Sequence, residues 1–435
     1  MKLSIQSLTG FLLLTTSFSG QSVTLSWEDV VRYTQNSNPS LDASKKDWLA
    51  TRTNEQVALA GFLPTLSAST SMTRIGSRSA NGGIVSNGVV LGTTGSQVST
   101  NYLGALNANL NLFNGFEDKS RYDQAHWRSQ NSYWSYVSTR STISYTLKEA
   151  FSNLILAQES LELSRNIEDR RESNHKLVSV RYDNGRENKG SVLLAEAYLE
   201  QAKLDVIKAQ DSLNVAQLKL KTLMNQDQFE NIQVTGAVPL EKLEFENKGI
   251  QDLALETPVY QQQNALQMVA KEDISIAESN FYPTLNLSGN VTRQDETYFP
   301  DRERERWSLA LTLTIPIFDG MKDYSTRKGA VITQYAAEGR KKNALLEMVP
   351  KLKDAQNQAR QSDIKYSVDE KFQKAATSRA EIARAKYNNG LITFEDWDII
   401  ESDLIQRQTT FLQSKRDRTL KYASWENLLG RGAIE

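Results

Sequence analysis

Few side chains in this sequence have the types and spacing that catalysis requires. Cysteine is absent, and the two histidines, His126 and His175, stand alone on predicted helices. The sequence has no GxSxG or HExxH motif and no clustered group of His, Asp and Glu. Acyl transfer, thiol chemistry and zinc or copper binding therefore lack their usual residues. We predict that the protein is not an enzyme, that it needs no cofactor and that it holds no metal.

The composition excludes further classes of protein. The chain has 435 residues, of which 39% are hydrophobic and 24% charged, with 51 basic and 52 acidic residues. This balance leaves no basic excess for binding to nucleic acid. No run of about 20 apolar residues is present, which argues against a helical membrane protein.

The N-terminus has the pattern of a secretory signal. Lys2 precedes the apolar stretch 8–16, and the small residues Ser17 and Ser19 follow. We predict a signal peptide at residues 1–19 and therefore an exported protein. The alternative is a first core helix.

The sequence repeats its own plan. The segment FLPTL at 62–66 returns as FYPTL at 281–285, which is 219 residues later. Two further motifs return after 205 residues: FNG at 113–115 as FDG at 318–320, and RYDNG at 181–185 as KYNNG at 386–390. The change of offset indicates a 14-residue insertion in the first half. We predict two structural repeats, 20–225 and 257–435, with a linker at 226–256.

Each repeat begins with a helical pattern that ends at a proline. In the first repeat, Ser26 and Asp29 have capping-box spacing, and the pattern continues to about residue 60. In the second repeat the equivalent segment is about 258–280. Pro64 and Pro283 end these helices and direct the chain into an extended conformation.

After each proline the hydrophobic period changes to two. Apolar residues alternate with uncharged Asn, Ser and Thr in four predicted strands, at about 65–75, 102–113, 284–293 and 306–317. Strands of this length and pattern can cross an outer membrane, with lipid on one side and water on the other. The alternative is a soluble hairpin with one buried face. The polar segments 75–101 and 293–306 are predicted loops.

Long helical patterns follow each Phe-x-Gly. They predict helices at about 118–182 and 321–387, each roughly 100 Å long at 1.5 Å per residue. Turns near residues 185 and 390 lead to return helices at 191–225 and 393–429. Such hairpins have too little core to stand alone and must pack on their repeat and on other chains.

Four strands cannot close a membrane barrel, and open strand edges are not tolerated in lipid. Three copies would supply 12 strands and six helical hairpins. A trimer is therefore the smallest ordinary assembly that gives a barrel of plausible size, although the strand count alone also permits two or four chains.

The ordered motifs of the mature chain resemble the TolC-type outer-membrane efflux protein family. The resemblance implies a mixed membrane α+β fold and a trimeric channel-tunnel. Four strands per chain would form a 12-stranded outer-membrane β-barrel, continued by a long periplasmic α-helical coiled-coil barrel. The implied function is the exit duct of a tripartite efflux or type I secretion system in a Gram-negative bacterium. Its implied partners are two further copies, outer-membrane lipid, a periplasmic adaptor (membrane fusion) protein and an inner-membrane transporter, with no nucleic acid.

The resemblance also assigns roles to particular residues. The adaptor-contact tips correspond to Gly185, Arg186, Gly390, Leu391 and Ile392. The junctions between strands and helices correspond to Pro64, Pro283, Gly115 and Gly320.

The periplasmic aperture departs from the family pattern. The family closes it through a tyrosine, an arginine and an aspartate, and these positions are Tyr387, Ile392 and Ser191 here. Only the tyrosine is kept, so we expect resting closure to use other contacts or to be weaker. We assign Asp396 and its neighbour Asp398 to the aperture; the alternative for Asp396 is an ordinary acidic residue at a helix N-terminus.

Two other classes of function stay open from the residues alone. A structural coiled-coil protein of the envelope would share the helices but would not need lipid-compatible strands. An exported enzyme has no supporting motif. The transported substrate is not predicted, because multidrug efflux, metal efflux and protein secretion use similar outer components.

Overall fold

The computed structural model describes residues 23–79, 85–86, 89–90, 95–229, 231–240, 249–297 and 305–434. The predicted signal peptide lies outside these residues. The chain forms two compact units. Unit 1 comprises Met1–Ser44, Tyr136–Pro258 and Glu347–Glu435, and unit 2 comprises Lys45–Ser135 and Val259–Leu346.

The elements are numbered in chain order. The strands are β1 Val23–Leu25, β2 Thr65–Ser79, β3 Val85–Ser86, β4 Val89–Val90, β5 Gly95–Asn114, β6 Ile232–Val234, β7 Thr284–Asp295 and β8 Glu305–Thr314. The α-helices are α1 Trp27–Ser37, α2 Pro39–Leu59, α3 Glu117–Asp183, α4 Lys189–Met224, α5 Ile250–Glu256, α6 Pro258–Ser279, α7 Lys322–Asn388 and α8 Phe394–Leu428, with a 3-10 turn at Ala60–Phe62. In the described part of the chain, no helix combines the length and apolar character needed to cross a lipid bilayer.

Unit 2 contains an antiparallel four-stranded sheet in the order β2-β5-β7-β8. The register places apolar residues opposite one another, as in Leu287↔Leu311, and the intervening polar residues opposite one another, as in Asn286↔Thr312. On the polar face, Asn290 Nδ2 donates to Asn107 Oδ1 at 2.6 Å. Because side chains alternate between faces along a strand, the sheet has one apolar face and one amide- and hydroxyl-rich face.

The strands of this sheet differ in length from the predicted ones. β2 and β5 extend into the segment 75–101 that we predicted as a loop, with Ile75 opposite Ser99 and Ser79 opposite Gly95. Interstrand hydrogen bonds satisfy the backbone N–H and C=O groups of both strands whether or not the side chains are apolar. The Gly- and Ser-rich composition therefore did not end the pairing. β8 ends at Thr314 rather than near residue 317, since Pro316 has no N–H to donate to a ladder.

The first helical segment is also broken where one helix was predicted. α1 begins at the predicted capping box of Ser26 and Asp29, but it ends at Ser37. Asn38 is extended, with φ −72° and ψ 117°, and Pro39 begins α2. A residue before proline is disfavoured in the helical region, whereas proline suits the first turn of a new helix.

The core of unit 1 lies between α3 and α4. Leu147, Phe151 and Leu154 of α3 pack with Leu220 and Met224 of α4, together with β1 and β6. β1 and β6 pair in parallel. Part of the predicted linker 226–256 therefore forms a strand, β6, that is hydrogen-bonded to β1. The limits of α3, α4, α7 and α8 lie within two residues of the predicted ones.

The helices α3 and α8 of unit 1 run antiparallel and are joined by four ion pairs. These are Lys148–Glu426, Glu159–Lys415, Arg170–Glu401 at 3.0 Å and Arg171–Asp398 at 2.6 Å. We call this line of contacts the α3–α8 seam. Along it, α3 supplies the cation in three pairs and the anion in the pair of Glu159 with Lys415. Because a shifted alignment would place like charges opposite one another, this pattern fixes the register of the two helices.

Candidate functional site at the helix tips

Both tips of unit 1 turn through a glycine in the left-handed region. Gly185 has φ +68° and Gly390 has φ +75°. Gly185 N–H donates to the Tyr182 carbonyl at 2.8 Å, and Arg186 N–H to the Arg181 carbonyl at 2.8 Å. The second tip repeats this pair of bonds at Gly390 and Leu391, each at 2.9 Å. This is a Schellman ending of a helix, in which a side chain at the glycine would be strained.

The return helices begin with side-chain caps. Asn188 accepts a hydrogen bond from the backbone of Ser191 at 2.9 Å at the start of α4. At the start of α8, the Thr393 hydroxyl accepts from the Asp396 N–H at 3.1 Å and donates to the Asp396 carboxylate at 2.8 Å. Asp396 is exposed and also stabilises a helix N-terminus.

Tyr387 is the centre of a side-chain cluster between the tips, in which Tyr387 and Trp397 are buried and Arg181 and Glu187 are half-buried. Its side chain is 1% exposed and stacks on Trp397, with ring centroids 4.4 Å apart and planes at 15°. The Arg181 guanidinium lies 4.5 Å from the Tyr387 ring centroid, and Arg181 Nη1 donates to the Tyr387 carbonyl at 2.5 Å. The Tyr387 hydroxyl donates to Glu187 Oε2 at 2.9 Å. We call these four residues, Arg181, Glu187, Tyr387 and Trp397, the tip cluster.

The environment of Tyr387 keeps its hydroxyl protonated. Burial raises the pKa of Tyr387, and the hydrogen bond to the Glu187 carboxylate raises it further, against the opposing charge of Arg181. The phenol is therefore a hydrogen-bond donor throughout the neutral range.

The other two aperture positions do not join this cluster through ion pairs. Ser191 is buried in the first turn of α4, and Ile392 is half-buried against the apolar residues around Val178 and Phe394. Glu187, two residues after Gly185, takes the place of an acidic partner for Tyr387. Sequence reasoning missed Glu187, Arg181 and Trp397; a carboxylate in the first tip loop was the available signal.

Asp398 differs from the expectation for an aperture residue. It is buried and paired with Arg171, whose guanidinium also donates to Ser402 at 3.2 Å and lies 4.5 Å from the Tyr198 ring centroid. Burial, followed by the hydrogen bond to Asp398, raises the pKa of Tyr198. The carboxylate of Asp398 thus holds α3 and α8 together within one chain.

The surface of the tips is formed mainly by the two turns. Gly185, Arg186 and Gly390 are exposed, and Leu391 is 71% exposed. Ile392 instead packs against the buried apolar residues around Val178 and Phe394. An apolar side chain and a cationic side chain are therefore available for contact by another protein.

The predicted junction residues lie where strands and helices of unit 2 meet. Pro64 and Pro283 immediately precede β2 and β7. Gly115, with φ +68°, follows β5, and a Cβ there would lie 2.6 Å from the Ser279 carbonyl oxygen. Gly320, with φ +73°, precedes α7 and has open space around it. Close packing thus requires glycine at 115, whereas the backbone conformation favours it at both positions.

Within the described ranges, no group of three or more acidic or histidine side chains is placed to hold a metal ion. His126 lies 3.6 Å from Glu55 and contacts Trp127, which is an ordinary packing environment.

Comparison with known proteins identifies one family. The family model described as outer membrane efflux protein matches residues 30–226 and 249–431. No curated protein matches the sequence.

Solved structures share the fold at low sequence identity. The outer membrane protein VceC of Vibrio cholerae is 18% identical, with 94% of this chain and 97% of that chain covered and a TM-score of 0.79. The open state of the MtrE outer membrane channel of Neisseria gonorrhoeae is 21% identical, with coverages of 93% and 89% and a TM-score of 0.79. CusC, described in connection with transmembrane channel formation, is 17% identical, with coverages of 93% and 92% and a TM-score of 0.80.

Proposed function

Because the chain belongs to the outer membrane efflux protein family, we propose that it is the exit duct of a tripartite efflux or type I secretion system. It is an outer-membrane protein of a Gram-negative bacterium with a large periplasmic helical part. The duct conducts substrates passively from an inner-membrane pump to the exterior.

The observation that carries this proposal is the two-faced sheet with two open edges. Within the described residues, β2 and β8 each pair with one neighbour only, and the apolar face carries exposed side chains such as Leu66, Trp307 and Leu311. Lipid would cover that face, while the Asn-, Ser- and Thr-rich face would line water. Open edges are costly in lipid, so β8 of one copy would pair with β2 of the next.

Three copies would close this arrangement with 12 strands. Their six helical hairpins would continue the same lumen as an α-helical barrel in the periplasm. The homotrimer is thus the assembly that we propose for the working channel.

The tips of the hairpins would form the periplasmic aperture and the docking site for the adaptor. Gly185, Arg186, Gly390 and Leu391 supply the exposed surface for the periplasmic adaptor, which links the duct to the inner-membrane transporter. Ile392 is half-buried and packs against the apolar residues behind that surface. Three exposed Asp396 carboxylates, one per chain, would ring the aperture and favour cations.

A structural coiled-coil protein of the envelope is the second candidate. The long helices suit it equally well, but the exposed apolar face of the sheet has no place in it. A duct that combines a barrel in lipid with periplasmic helices accounts for both the exposed apolar face and the long helices, and so we prefer the duct.

Reconstitution into planar bilayers tests this function. Purified full-length protein should give discrete conductance steps, and heat-denatured protein from the same preparation serves as the control. A native, trimeric preparation that inserts into lipid without conducting would contradict the duct and favour the structural candidate.

A further inference from the structure

A cavity of about 210 Å³ lies within unit 1, beside the middle of α3. Its wall is formed by α3, by the segment that follows β6, by α8 and by Tyr366 of α7. From Glu159 at the cavity, α3 continues to Asp183 before the first tip, which is about 36 Å at 1.5 Å per residue. The cavity is therefore separate from the tips.

Two hydrogen-bond donors in the wall of this cavity have no acceptor. Ser152 is 5% exposed, and its hydroxyl has no partner among the described residues. Arg416 donates from Nη1 to Asn153 Oδ1 at 3.3 Å, and its Nη2 lies 2.6 Å from Asp417 Oδ1. The buried Nε of Arg416 has no partner among the same residues. Because a buried donor without an acceptor is unfavourable, both groups indicate a ligand that supplies one.

The charges around the cavity favour an anion as that ligand. Three cationic side chains line it, namely Lys415, Arg416 and Arg418. Glu159, which pairs with Lys415 in the α3–α8 seam, is the single carboxylate among the described lining residues. The carboxylates that pair with the two arginines, Asp417 and Asp363, do not line the cavity.

The rest of the wall is largely apolar. Its aliphatic side chains are Ile155, Leu156, Val238, Leu240 and Leu412. An apolar group placed against them would gain free energy by leaving water. The volume is below the roughly 300–1,000 Å³ of pockets for drug-sized ligands, so the apolar part of the ligand must be small.

We propose that this cavity binds a small amphipathic anion. Its anionic head accepts hydrogen bonds from Ser152 Oγ and Arg416 Nε, and its apolar body packs against the aliphatic wall. A carboxylate and a phosphate share this chemistry, since both accept charge-assisted bonds from hydroxyl and guanidinium groups. The bound molecule bridges α3, α8 and the segment after β6. This inference goes beyond the proposed function, because binding here does not require conduction.

Ligand-observed NMR titration of the full-length protein in lipid nanodiscs tests the inference, with empty nanodiscs as the blank. The probes are 3-phenylpropanoate and 2-phenylethyl phosphate, which carry the two kinds of anionic head, and the neutral 3-phenylpropanol. At least one anion should bind with a Kd on the order of 1 mM. The alcohol should bind about tenfold more weakly, because hydrogen bonds to a charged group are the stronger ones. Comparison of the two anions identifies the preferred head.

Two variants locate the bound anion. Ser152→Ala removes the hydroxyl, and Arg416→Lys keeps the charge but has no Nε–H, so each should raise the Kd of the anion about tenfold. Ser173→Ala is the matched control and should bind as the wild type does, because the exposed Ser173 hydroxyl of the same helix donates to the Asp169 carbonyl. Ser152→Ala should leave the midpoint of thermal unfolding unchanged or higher, since it removes a buried hydroxyl that has no partner.

Several outcomes would overturn the site while leaving the duct in place. If neither anion binds the wild type, another part of the chain or a neighbouring copy fills the cavity. Equal binding of 3-phenylpropanol would contradict an anion site, and an unchanged Kd in both variants would place the ligand elsewhere. A lower unfolding midpoint for Ser152→Ala would show that the hydroxyl has a structural partner. Should Arg416→Lys fail to assemble, Ser152→Ala still decides.

Discussion

At the scale of single residues, the tips show how one interaction can be kept while its partner changes position. Tyr387 occupies the tyrosine position that the family resemblance predicted, but its acceptor is Glu187, two residues after the first tip glycine. Ser191, at the position of the family's aspartate, lies in the first turn of α4, where its N–H donates to Asn188 Oδ1. The buried hydroxyl needs a hydrogen-bond acceptor, and Glu187 in the first tip loop supplies one from a different backbone position.

Asp396 allows a direct test of the proposed aperture. Asp396→Asn should lower the preference of the channel for cations by roughly a factor of two to three for each charge lost within about 7 Å of the permeating ion, taking the dielectric constant of water. Thr393 remains the N-cap of α8, and an asparagine at 396 can still accept the hydrogen bond from its hydroxyl, so the fold should be retained. Reversal potentials in a salt gradient give the measurement.

Glu395→Gln is the control for this prediction, since Glu395 is an exposed neighbour with the same charge that we do not assign to the aperture. Equal selectivity in the wild type and in Asp396→Asn would remove Asp396 from the constriction and leave it only the role of acceptor for the hydroxyl of the Thr393 cap.

At the scale of elements, the seam between α3 and α8 determines how the first and second hairpins of unit 1 associate. Two of its ion pairs, Lys148–Glu426 and Arg171–Asp398, are buried. A buried pair contributes little net stability over an apolar replacement, but removal of one partner is costly. The seam therefore specifies the register of the helices more than it stabilises them.

Lys148 tests this interpretation. Lys148→Met leaves the buried Glu426 carboxylate without its cation and should lower the free energy of unfolding by about 3 kcal/mol. The double variant Lys148→Met with Glu426→Leu should recover most of that loss. Denaturant unfolding followed by circular dichroism measures both.

Lys176→Met is the matched control, because Lys176 pairs with Glu172 in the same helix and the two side chains are 70% and 50% exposed. That change should cost less than about 0.5 kcal/mol. Similar losses for Lys148→Met and Lys176→Met would show that burial of the seam does not matter to stability.

At the scale of the whole molecule, the sheet is the part that other copies of the chain would complete in the proposed barrel. In the part of the chain that the structure describes, the inner strands β5 and β7 are paired on both sides, whereas β2 and β8 are paired on one side only. In the proposed barrel, lipid would tolerate neither unpaired edges nor charges on the outer face, so assembly would depend on the strand edges and membrane insertion on the apolar face.

Neighbouring residues of β8 separate the two faces of the sheet. Leu311→Arg places a charge on the apolar face and should disfavour membrane assembly by about 2–4 kcal/mol near the bilayer midplane. Thr312→Arg places the same charge on the polar face and should assemble normally but alter ion selectivity. The yield of heat-modifiable trimer from outer membranes, followed by bilayer recording, compares the two. Equal loss of trimer in both variants would contradict the assignment of faces.

The amino-acid sequence by itself determined the elements and their repetition. The change of hydrophobic period at Pro64 and Pro283, the doubled Phe-x-Gly motifs and the tip glycines placed the strands, the long helices and the turns. Local sequence can specify these features because side-chain periodicity and the left-handed backbone of glycine depend on near neighbours. Where pairing depends on the partner strand, as at 75–101, the same reasoning stopped the strands too early.

Only the tertiary structure decided which polar side chains meet. Glu187 and Tyr387 lie 200 residues apart in the chain, and Arg171 and Asp398 lie 227 apart. Many charged residues of the helices have the same local patterns, so spacing alone does not distinguish a solvated carboxylate such as Asp396 from a buried one such as Asp398. Packing of one hairpin against the other removes particular groups from water, and the free-energy cost of burial then requires a partner for each of them.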